Sequence, residues 1–199
     1  MIWHISLEAY VGVLIAVVII KAGVEMMSET ISDILGQRAD PALVREIKSL
    51  IAQEPEVIGA YDLVINNYGP NKNYASVHME LPDTMTVEEV DRLTRKVEAK
   101  VYLATGVVLT GVGIYSHNTG RGEAADIRNV IQKIVLSHDW ALQMHGFYVD
   151  TESRSLRFDV VVSFDIQPRE AVKILCEEIT AQYPDYTVHI TPDIDLTDL

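Results

Sequence analysis

The chain has 199 residues, 48% of them hydrophobic and 23% charged, a balance that supports a packed core and excludes a disordered chain. Its 29 acidic residues against 16 basic ones give a formal net charge of -13, which argues against nucleic acid, because phosphate binding needs a basic face, and suits cations or simply solubility. The single cysteine, Cys176, excludes an internal disulfide and any zinc-finger spacing; between Leu175 and Ile179 on a helical stripe, it reads as a buried core thiol.

The first element is apolar. Nothing from Ala9 to Ile20 is charged, and the helical pattern continues through Lys21 and Glu25 to Leu35, with Gly36 as a stop. Extended from Ile5 to Val24, the run reaches the roughly 20 residues of a membrane span. A secretory signal is disfavoured, because Met1-Ile2-Trp3-His4 has no basic residue and no A-x-A site follows. A helix buried against a partner is the remaining rival. Lys21, Arg38 and Arg45 follow the run and no Lys or Arg precedes it, so the positive-inside rule places the rest of the chain in the cytoplasm.

From Asp40 the chain reads as two copies of one αββαβ unit. Asp40-Pro41 opens a helix with the stripe Leu43, Val44, Ile47, Leu50 and Ile51; Ile127, Val130, Ile131, Ile134 and Val135 form its counterpart. A strand follows each, Val57 to Asn66 and Leu142 to Val149, and then a turn. The next strands alternate, Ala75, Val77, Met79 and Leu81 facing in and then Leu156, Phe158, Val160, Val162 and Phe164, which marks a sheet covered on one face. Thr86 with Glu89 forms a capping box for a second helix, and Pro168 opens its counterpart. Short strands, Val107 to Leu109 and Thr187 to Thr191, close the units, and Ser116 to Gly122 is the polar joint between them. The expected fold is α+β: an N-terminal transmembrane-type helix (1–36) followed by two tandem ferredoxin-like domains (40–115 and 123–199).

No phosphate loop, nucleophile elbow or nucleophile–base pair is present, so an enzyme is disfavoured. The histidines carry more. In the second copy, His145, Asp159 and His189 fall on three neighbouring strands, a donor set suited to zinc, iron, nickel or cobalt, with manganese also in range. In the first copy His78 stands where Asp159 falls, and Tyr61 where His145 falls. A lone strand histidine is more often solvated or hydrogen-bonded than a ligand. The acidic tail from Asp193 to Asp198 reads as a solvated charge run.

The helix ending Ile34-Leu35-Gly36, then Asp40-Pro41, Pro55-Glu56-Val57-Ile58-Gly59-Ala60-Tyr61-Asp62-Leu63, Tyr68-Gly69-Pro70 and Ala75-Ser76-Val77-His78-Met79-Glu80, resembles the cation diffusion facilitator family. Met144-His145-Gly146-Phe147 and Phe158-Asp159-Val160-Val161-Val162 resemble the same family's cytoplasmic domain a second time. The resemblance implies the last part of a divalent cation/proton antiporter: its sixth membrane helix and two cytoplasmic domains, in a homodimer, at the cell membrane, serving dimerisation and metal sensing. It implies metal ligands at His145, which matches the histidine of the family's "gxHdL" strand, and at His78 on the middle strand. The closing "HxDP" pair is echoed by His189-Ile190-Thr191-Pro192, where threonine replaces the aspartate, and has no match in Thr110-Gly111-Val112-Gly113. The family's transport residues lie on membrane helices with no counterpart here, so none is carried over, and one helix cannot enclose a polar path through lipid. The alternative reading is a membrane-tethered tandem ferredoxin-like regulatory module that binds a small ligand or a partner.

Overall fold

The computed structural model describes residues 7–35, 40–69 and 72–193, and divides into two units, residues 1–38 and 39–199. The expected stop at Gly36 and the tail beyond Asp193 lie outside the described residues.

The first unit is the helix α1, Leu7–Leu35. Its segment Tyr10–Ser28 is long and apolar enough to cross a membrane, at a mean hydropathy of 2.0. Those 19 residues rise about 28 Å, close to the ~30 Å of a hydrocarbon core. Lys21 and Glu25 pair at 3.6 Å, one turn apart.

The second unit holds two lobes of the same order. Lobe 1 is α2 (Pro41–Ala52), β1 (Gly59–Asn67), β2 (Asn73–Pro82), α3 (Val87–Thr105) and β3 (Val108–His117). Lobe 2 is α4 (Glu123–Val135), β4 (Ala141–Asp150), β5 (Ser155–Val162), α5 (Pro168–Gln182) and β6 (Thr187–Asp193). Each has a three-stranded sheet with its middle strand antiparallel to the first and parallel to the third. The α+β fold expected from the repeat is the observed one.

Local signals explain the helix starts. The Asp40 carboxylate accepts from the Ala42 amide at 2.9 Å, and Thr86 and Glu89 cap each other's backbone. Helix stripes and strand faces then meet. Val44, Ile47, Ile51, Val77, Met79, Leu81, Val97 and Val101 close one core; Ile131, Val135, Leu156, Phe158, Val160, Leu175 and Ile179 close the other. The buried Glu54 carboxylate accepts from Lys96 and from Lys100 (2.9 Å), which tie α2 to α3. These ammonium groups hold Glu54 below the usual carboxylate range.

Three local expectations change. The third strand of lobe 1 was expected to be short, but β3 pairs with β2 as far as His117, taking Ser116 and His117 from the expected joint. Gly111 and Gly113 lie inside it, and a side chain at Gly113 would collide with the His78 imidazole that lies across the strand. Phe164, expected to face the core, is exposed beyond the end of β5, where the chain turns toward α5. Cys176 is half-buried, and that burial raises its thiol above the ordinary value.

Candidate metal centre

Two β-bulges build the centre. The β1–β2 register slips after Tyr61, and the β4–β5 register slips after His145. The residue that follows each slip has positive φ: Asp62 at 53° and Gly146 at 61°. Aspartate tolerates this conformation better than most side chains. The bulge turns Asp62 out of the plain alternation of β1, toward lobe 2.

There Asp62 meets groups from both lobes. His145 Nε2 lies 3.0 Å from Asp62 Oδ1. A carboxylate only accepts, so Nε2 carries the proton. The Tyr115 hydroxyl donates to Asp62 Oδ2 at 2.7 Å and also lies 3.1 Å from Asp159 Oδ2. His78 Nδ1 is 3.0 Å from Asp62 Oδ2, but off the direction of a hydrogen bond, so that nitrogen has no hydrogen-bond partner among the described residues. His78 stacks on Tyr115 at 4.5 Å, and Tyr61 stacks on His145 at 4.7 Å with the rings 4° apart.

His145 is 3% exposed, and its Nδ1 is buried with no hydrogen-bond partner among the described residues. Asp62, His145 and Asp159 each place one donor atom within 4.8 Å of the others. Two carboxylates and one imidazole, with a buried nitrogen left unused, fit a divalent cation of the zinc, iron, manganese, cobalt or nickel kind. Three protein donors leave room for a water or a hydroxyl.

The charges are tuned together. Burial pushes Asp62 up, but the hydrogen bonds from His145 and Tyr115 outweigh it and hold the carboxyl at about 2. Burial pushes His145 down, but the hydrogen bond and charge of Asp62 win and raise it above its ordinary value. Burial and the Asp62 hydrogen bond push the Tyr115 hydroxyl up; burial and the charge of Glu80 push Tyr61 up to about 12.

A second polar group lies beside this one. Buried Glu80 accepts from the Tyr61 hydroxyl at 3.2 Å and faces His117 Nδ1 at 2.8 Å. Arg128 of α4 places Nη2 3.7 Å from Glu80, a second carboxylate–cation contact between the lobes.

Of the four residues expected from the sequence, the structure brings His145 and Asp159 together and sets His78 at the margin against Asp62 and Tyr115. His189 is exposed on β6 opposite Arg157 and lies outside the group. Sequence reasoning missed Asp62 and Tyr115. Asp62 lies within the strand segment Gly59-Ala60-Tyr61-Asp62-Leu63, and a carboxylate inside that otherwise uncharged stretch was the available signal.

Comparisons with known proteins point to one family. Residues 39–107 match the family model described as the cation efflux protein, cytoplasmic domain. No curated protein matches the chain. Among solved structures, one concerning the zinc transporter CzrB is 21% identical, covering 40% of this chain and 98% of that one at a TM-score of 0.37. The metal-bound C-terminal domain of the CzcD transporter from Thermotoga maritima is 19% identical, covering 44% and 100% at 0.36. A nickel form of the MamM C-terminal domain is 17% identical, covering 41% and 100% at 0.34. At these identities and scores the structural likenesses carry no argument, and the family likeness is that of residues 39–107. Residues 39–107 are thus similar to a cytoplasmic domain of the cation efflux family.

Proposed function

We propose that residues 40–199 are a divalent-cation-binding regulatory module of a cation diffusion facilitator, made of the two domains 40–115 and 123–199. The observation that supports it most is the convergence of Asp62, His145 and Asp159, with one donor from lobe 1 and two from lobe 2. A cation there would be held by the carboxylates of Asp62 and Asp159 and the imidazole of His145. It would add to the Tyr115 hydroxyl and the His145 imidazole in offsetting the repulsion of the two carboxylates. In the same reading α1 spans the membrane, the lobes lie on its cytoplasmic side, and the chain works as a homodimer. Its role is to sense the cation and hold the assembly together; transport belongs to a larger helix bundle.

The test is thermal unfolding of the full chain in detergent, with zinc, manganese, cobalt or nickel titrated in. Binding to the folded state alone stabilises by about 2.7 kcal/mol at 100 times the dissociation constant. The melting temperature should therefore rise with at least one of these ions and stay flat in Asp62→Ala. No rise with any of the four would end this reading.

A second reading, sensing of a small organic ligand, has one supporting observation. A cavity of about 530 Å³ in lobe 2 is lined by Glu123, Asp126, Arg154, Tyr183 and Tyr186 among others. A ligand that binds Asp62→Ala normally but not Tyr183→Ala would favour it.

A further inference from the structure

The two lobes meet through equivalent positions of their repeats. Tyr61 pairs with His78 on its neighbouring strand, and His145 pairs with Asp159; both pairs stand immediately before a bulge whose next residue has positive φ. Tyr61 and His145 are therefore the same position in the two copies. They stack on each other, face to face, 4.7 Å apart. Contact between equivalent residues is the mark of a two-fold-like interface.

The two sides of that interface are no longer alike. Lobe 1 offers the carboxylates of Asp62 and Glu80; lobe 2 answers with His145 and Arg128. At the position equivalent to Asp62, lobe 2 has Gly146. A side chain there would start 2.9 Å from Asp159 Oδ2 and 3.0 Å from the Tyr115 ring, so only glycine leaves room for them. Two copies of lobe 1 paired in this way would bring a second Asp62 into the space that Gly146 leaves, and would put a tyrosine where His145 receives the first. Two copies of lobe 2 would put Gly146 where His145 Nε2 now finds the Asp62 carboxylate. Each like-with-like pairing loses the cross-lobe charge contacts, and one adds a clash, which is how an interface discriminates between partners.

We propose that lobe 2 is the built-in partner of lobe 1: the face around Tyr61, Asp62, Glu80 and Tyr115 is specific for lobe 2 of the same chain and does not take a second copy of lobe 1. The pairing stands on shape and charge, with or without a cation. Any homodimer of this chain is then built on other surfaces, and each chain holds a complete set of the three donors.

The test uses the full chain in detergent without added metal, with the photo-crosslinking analogue in Tyr61→benzoylphenylalanine. A second copy, distinguished by a mass tag, is co-expressed. Illumination should link position 61 to β4 around His145 within one chain, and links between differently tagged copies at these positions should be absent. Links from position 61 to lobe 1 or lobe 2 of the other copy, or no link to β4 at all, would overturn the proposal. Should that variant unfold, Arg128→benzoylphenylalanine, which reaches toward Glu80, gives the same readout from the other side. Because no metal is present, failure here is separate from failure of the cation reading.

Discussion

His145→Ala is expected to destabilise the two-lobed unit by about 3 kcal/mol, measured by denaturant unfolding of the full chain in detergent near pH 6, and to remove any cation-dependent stabilisation. Breaking a buried ion pair from one side costs this much because the other charge stays behind. Here two carboxylates stay behind: Asp62 and Asp159 would share the Tyr115 hydroxyl, with His78 beside Asp62 alone. Their charges have a pH signature. The Asp62 carboxyl is held at about 2, below its ordinary 3.8, so its contribution is present above 3.8 and lost as pH falls through 2. The His145 imidazole is raised above 6.5, so its contribution is full below 6.5 and is lost as pH rises through the raised value. Both contributions coincide between about 4 and 6.5. Metal-free protein should therefore be most stable in that window and lose part of that stability on the alkaline side. In His145→Ala the alkaline loss should disappear. A variant with an unchanged alkaline slope would show that another group controls it.

Gly146→Ala is expected to cost about 2–4 kcal/mol, although it adds one methyl group. Two causes add. The residue has φ +61°, which penalises any β-carbon, and the added carbon would start 2.9 Å from Asp159 and 3.0 Å from Tyr115. Asp62→Gly is the instructive contrast at the equivalent position. Glycine relieves the positive φ there while the buried His145 loses its acceptor, so a net cost near 1 kcal/mol is expected, with the cation response gone. Denaturant midpoints of the two variants measure the difference. Equal costs would mean that the two bulges do not constrain the two positions differently.

The repeat was legible because it is written in periods. Stripes at helical spacing and alternation at strand spacing fixed the order αββαβ twice, and Asp40 and Thr86 marked the helix starts with chemistry visible in the sequence. The end of β3 was not legible. The expected strand stopped at Leu109, yet Gly111 and Gly113 lie within β3, and His78 occupies the space above Gly113.

The centre was half legible for a related reason. His145 and Asp159 share one lobe and pair directly across β4 and β5, so a repeat-by-repeat reading finds both. Asp62 and Tyr115 come from the other lobe. Their part depends on how the lobes dock and on a bulge that shifts Asp62 off the strand's alternation, and neither is a periodic feature. His189 shows the converse: a donor on a neighbouring strand is still set apart when its register places it beside Arg157 at the surface.

The most direct test of the two-lobe cation centre is calorimetric titration of the full chain in detergent with the divalent cation that raises its melting temperature most. One cation per chain is expected, with binding abolished in Asp62→Ala and in His145→Ala and retained in His189→Ala. Binding that survives Asp62→Ala, or that His189→Ala removes, would place the cation elsewhere and contradict a centre shared between the lobes.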